Sequence, residues 1–140
     1  MASHLQYVKE VEEAFRKVGL DPQTAKASLP GSWSFSRGSI TVMVTLNTSP
    51  SSTGEQRTIT MSSRLMDMPT RKKSELYRRL LDLNHSFVGE RFEIFDEAIY
   101  LTAARYLENI SAEEIATMMT DLSETADFFD NKLIAEFKND

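Results

Sequence analysis

The stretch Ser32-Trp33-Ser34-Phe35-Ser36-Arg37-Gly38-Ser39-Ile40-Thr41-Val42-Met43-Val44-Thr45-Leu46-Asn47 sets the fold class of this chain. Trp33 and Phe35 alternate with serines. Beyond the turn-like Arg37-Gly38, Ile40, Val42, Val44 and Leu46 alternate with Thr41, Met43, Thr45 and Asn47. A two-residue period rich in β-branched side chains marks strands with one apolar face. With Ile40 to Leu46 facing a core, Met43 falls on the opposite face beside Thr41 and Thr45.

Downstream, Thr48 to Glu55 (TSPSSTGE) is small and polar and carries Pro50 and Gly54, so a loop is expected there. A third strand follows, with Ile59, Met61 and Leu65 on one face and Thr58, Thr60, Ser62 and Arg64 on the other. Upstream, the period is helical: Leu5, Val8, Val11, Phe15 and Val18 recur at three- and four-residue steps. Ser3 and Gln6 offer a capping box, Gly19 a stop, and Asp21-Pro22 opens a connection running to Pro30-Gly31.

A second helix is expected over residues 70–84, with Leu76, Leu80 and Leu83 as its stripe, Tyr77 and Leu81 widening it, and Asn84 as a left-handed terminator. Residues 91–95 and 98–104 read as two further strands joined at Asp96-Glu97, a poor pair for a primed turn. The last helix is announced by a capping box, Ser111 with Glu114, and a hydrophobic staple, Ile110 with Ile115. Its seam, Ile115, Met119, Leu122, Ala126, Phe129, Leu133 and Phe137, implies roughly 39 Å of helix, long enough to overhang a small domain. The order α-β-β-β-α-β-β-α groups its elements, so the fold class is α+β, with a mainly antiparallel five-stranded sheet and a long C-terminal helix. At 140 residues without a dividing linker, residues 1–140 are expected to form a single domain.

Composition narrows the function. The chain has no cysteine, which excludes a disulfide framework, a thiolate metal site and a cysteine nucleophile. Apolar runs fall far short of a membrane span, and Met1-Ala2-Ser3-His4-Leu5 lacks the features of a secretory signal. A cytoplasmic location without membrane contact is therefore expected. Charge is uneven: residues 111–140 hold eight acids against two bases, an excess that counts against a nucleic-acid partner. Arg71, Lys72, Lys73, Arg78 and Arg79 form the opposite extreme, a basic face that is either solvated or docks an acidic surface such as the Asp121/Asp127/Asp130 side of the last helix.

Catalytic equipment is sparse. His4 and His85 have no metal-ligand spacing, and Glu90, Glu93, Asp96 and Glu97 read as a solvated hairpin edge rather than a carboxylate metal site. His85 suits a helix end, the five glycines are scattered, and neither a nucleophile elbow nor a phosphate loop is present. No catalytic residue, cofactor or metal is assigned. The fourth and fifth strands are apolar on both faces, with Phe92 and Ile94 against Phe95, and Ile99 and Leu101 against Tyr100. Such strands are covered twice, by the second helix or by another chain.

The Trp33/Phe35 strand and the long alternating strand after it recur in a known pattern. So do Leu80-Leu81-Asp82-Leu83-Asn84, Arg91-Phe92-Glu93-Ile94, Ile99-Tyr100-Leu101 and the capped helix from Ser111. In these the chain resembles the YbjN-like family and the broader type III secretion chaperone-like fold, including the Tir chaperone group. The resemblance implies a non-enzymatic, cytoplasmic homodimer that binds a polypeptide client, with dimers formed around the second helix and the adjoining hairpin. Met43, Tyr77, Leu81, Phe95 and Tyr100 are the expected protein-binding or dimer-interface residues. The alternative is a small-molecule-binding or enzymatic domain with a pocket between sheet and helices, using His85 or Glu93.

Overall fold

The computed structural model describes residues 3–138; Met1 and Ala2, part of the start read for a signal, lie outside it. Helix α1 (His4–Lys17) is followed by a one-turn helix α2 (Pro22–Ala25), then strands β1 (Ser32–Arg37), β2 (Ile40–Ser51) and β3 (Gly54–Asp67). Helix α3 (Lys73–Ser86), strands β4 (Arg91–Phe95) and β5 (Ala98–Tyr106), and helix α4 (Ala112–Phe137) complete the order. The five strands form one sheet in the order β1-β2-β3-β5-β4, every pairing antiparallel. Apart from the short α2, this is the architecture expected from the alternating and helical periods.

One face of the sheet carries the core. Register places Trp33 beside Val44 and Met61, and Leu101 beside Phe92, so their side chains share that face. Helix α4 lies across β1, β2, β3 and β5, and α1 packs on α4 while Phe15 stacks near Trp33 and edge-on to Phe35. Both expected capping boxes are present, at Ser3 with Gln6 and at Ser111 with Glu114, satisfying amides that the first helical turn leaves unpaired.

Several local expectations are corrected. The TSPSSTGE stretch is not a loop: β2 and β3 stay paired out to Ser51 and Gly54, leaving Ser52 and Thr53 as the turn. A ribbon wet on both faces needs no apolar alternation, so its sequence gave no period to detect. Asn84 does not end α3, which runs to Ser86. Its Nδ2 donates to the Phe92 carbonyl (3.2 Å) and its Oδ1 accepts from the Phe92 amide (2.6 Å), so it acts as a clamp on edge strand β4. Nor does α4 overhang: Phe129, Leu133 and Phe137 are all buried in the common core. Asp96 and Glu97 make the tight turn after all, with φ of 49° and 61°.

Candidate protein-binding surface

Helix α3 turns Leu76 and Leu80 into the core and leaves the next residue of each pair outside. Tyr77 remains 42% exposed and Leu81 68%. Opposite them, β4 ends the sheet: Phe92 is buried, but Ile94, on the same face two residues on, lies past the cover of the helices and is 46% exposed. These residues, with Leu80, Asn84 and Glu93, line a shallow groove of about 220 Å³. Its position is fixed by the Asn84 clamp, which uses up the outward-facing backbone amide and carbonyl of Phe92.

Phe95 and Tyr100 are brought together on the other face of the sheet. Their rings meet edge to face at 6.1 Å, with Phe95 70% exposed and Tyr100 half-buried. Tyr100 pairs across the sheet with Arg64, whose guanidinium is held by Asp67; that hydrogen bond and charge raise the Arg64 pKa above its ordinary value. Met43 stands apart. It is exposed on β2, and Ser62 and Arg64 of the intervening β3 separate it from Tyr100.

The five expected residues thus divide into a groove pair, an open-face pair and one isolated side chain. Ile94 is the residue missed. Alternation grouped it with buried Phe92, and only the strand order, which puts β4 at the sheet edge, shows why it stays uncovered.

Within the chain the basic helix is largely solvated and does not dock on the Asp121/Asp127/Asp130 side of α4. Arg78 pairs with Asp82 one turn away (3.8 Å) and Arg79 with Glu136 near the end of α4 (3.3 Å), while Arg71, Lys72 and Lys73 are exposed. Asp130 is buried and accepts from Ser39 Oγ (2.5 Å), and Asp127 lies against Gly38, so this side of α4 holds the β1–β2 turn.

A second depression of about 380 Å³ lies between α1, β1 and α4, floored by Phe35 and Met119 and rimmed by the Lys17–Glu113 (3.2 Å) and Arg37–Glu124 (3.7 Å) pairs. Among the described residues no three His, Asp or Glu side chains are grouped to hold a metal. His85 does not line the α3–β4 groove, where Glu93 is the only carboxylate. No helix among the described residues is long and apolar enough to cross a membrane.

The class to which this architecture belongs is the type III secretion chaperone fold. The structure of the ExsC–ExsE complex superposes with a TM-score of 0.66 at 15% identity, covering 94% of this chain and 96% of that one. The Yersinia pestis type III secretion chaperone SycH, in complex with a stable fragment of YscM2, superposes with a TM-score of 0.59 at 18% identity, covering 86% and 96%. No protein-family model matches the sequence, and no curated protein matches it significantly.

Proposed function

We propose that this chain is a single-domain, non-enzymatic, chaperone-like protein that works in the cytoplasm as a homodimer and binds a polypeptide client. The observation carrying this reading is the uncovered apolar groove of Tyr77, Leu81 and Ile94 at the β4 edge, in a fold shared with a secretion chaperone bound to a polypeptide fragment.

The exposed face of α3 is complementary to itself. Tyr77, Arg78, Leu81 and Asp82 repeat at a four-residue offset. Two copies of α3 crossing antiparallel about Arg79 set Tyr77 against Leu81 of the second copy, with the Arg78–Asp82 pairs of the two helices flanking that contact. An interface in which residue i meets j while j meets i is what a two-fold dimer requires. A client then contacts the open face through Phe95, Tyr100 and Met43, burying apolar side chains against the sheet.

Light scattering coupled to size exclusion at micromolar concentration tests this reading. The wild-type chain should elute at twice the monomer mass, and Leu81→Asp at the monomer mass with an unchanged circular dichroism spectrum. A monomeric wild type would refute the homodimer.

A further inference from the structure

Arg71, Lys72 and Lys73 are three consecutive exposed cations where the chain enters α3. Elsewhere the protein neutralises its own arginines. Of the nine, seven pair with a carboxylate and Arg57 lies over the Tyr7 ring. Arg71 is the ninth, and among the described residues neither it nor Lys72 or Lys73 forms an ion pair. The neighbouring acids do not compensate. Asp67 holds Arg64, and Glu75 is exposed two residues beyond Lys73 without pairing to the run. The Asp96-Glu97 turn touches the segment leading into α3 only through its backbone, the Glu97 carbonyl accepting from the Met68 amide (2.9 Å).

An unneutralised run of cations on a chain of net charge -5 is an anion-seeking surface. Its size decides the class of anion. Three residues reach along about 10 Å of chain, enough for a few carboxylates, whereas a nucleic-acid complex engages on the order of 1,000 Å². A phosphate backbone or an anionic membrane laid over α3 would also meet the exposed Glu75, Asp82 and Glu136. We infer that Arg71, Lys72 and Lys73 dock a short segment of a partner polypeptide rich in Asp or Glu.

This rests on the reading of the chain as a polypeptide binder, but not on the homodimer. Lys73 lies six residues, about 9 Å along the helix, before the Arg79 crossing, so the run stands at the margin of that contact. The Arg71 guanidinium can take one carboxylate through two parallel hydrogen bonds, while the two lysines act as point charges. Exposed ion pairs are individually weak and screened by salt. The run therefore steers and orients the acidic segment, and the apolar side chains of the open face supply the grip.

The test is fluorescence anisotropy with a labelled peptide of alternating Glu and Ser, beside a Lys-Ser peptide and a duplex oligonucleotide, with co-sedimentation on phosphatidylserine vesicles. The wild type should bind the Glu-Ser peptide most tightly, and more weakly as salt rises from about 0.01 M to 0.15 M. Reversing the run (Arg71→Glu, Lys72→Glu and Lys73→Glu together) should weaken binding by about tenfold or more. Lys9→Glu with Lys138→Glu also adds negative charge, but away from the run, and should change it by less than about twofold. Amide resonance shifts of residues 71–73 on adding the peptide to the wild type decide the matter even if the reversed variant fails to fold. No binding of the Glu-Ser peptide, equal losses in both variants, or tighter binding of the duplex or the vesicles would overturn the inference. A neutral Leu-Ser peptide, bound by the wild type and released by Phe95→Asp, reports on the open face separately, so the acidic docking can fail while polypeptide binding stands.

Discussion

The two edge hairpins of the sheet are built alike and finished differently. Each joins its strands through two residues: Gly38-Ser39 between β1 and β2, Asp96-Glu97 between β4 and β5. The first is sealed by the protein's own long helix. Trp33 and Ile40 are buried, Ser39 bonds to Asp130, and Arg37 reaches Glu124. The second receives α3 over Phe92 and leaves Ile94 and Phe95 largely uncovered. Buried area at the first hairpin is spent on stability, whereas the second keeps apolar surface in water, a pattern that suits association.

That contrast can be broken most severely at the sealed edge. Trp33→Ala should cost about 3–5 kcal/mol of unfolding free energy in urea titrations, whereas Phe95→Ala should stay within roughly 0.5 kcal/mol, as surface changes do. Comparable losses at both positions would dissolve the distinction. Next comes the clamp. Asn84→Ala strands the Phe92 amide and carbonyl at a half-buried edge, a loss of about 1–3 kcal/mol, and should speed hydrogen exchange in β4 without touching β1.

Gly38→Ala should lower stability by about 1–2 kcal/mol. Gly38 holds φ at 57°, and an added Cβ would come within 2.6 Å of Asp127 Oδ1. The mirror experiment at the open hairpin has the opposite sign. Glu97→Gly relieves a left-handed glutamate and should raise the thermal midpoint slightly, equivalent to roughly 0.5 kcal/mol. A loss there would mean that the Asp96-Glu97 turn is held by contacts its exposed backbone does not reveal.

The sequence was most informative where one face of an element is wet and the other dry. The alternation from Ile40 to Leu46 and the seam from Ile115 to Phe137 both report burial, so they located β2 and α4. The second half of β2 escaped because Asn47 to Ser51 has water on both sides. Asn84 is ambiguous for a different reason. Its side chain suits a helix end and a strand clamp equally, and the choice depends on β4 arriving eight residues later.

The surface was legible in part. Tyr77 and Leu81 stand out as the wide margin of a helical stripe, but their partner Ile94 depends on β4 pairing with β5 at the rim instead of continuing the meander. Periodicity says which residues share a face; strand order says which of them remain uncovered.

The β2–β3 ribbon has one further consequence. Past Thr45 and Thr58 it has no neighbouring strand on either side, and such bare edges can template stacking between molecules. The Leu46 amide, which donates to the Gly31 carbonyl, marks the outward-facing positions of β2, and alternation assigns Thr48 and Pro50 to the same rim. Pro50 has no amide hydrogen to offer there. One imino acid thus removes a donor from the rim along which a second β2 strand would have to stack.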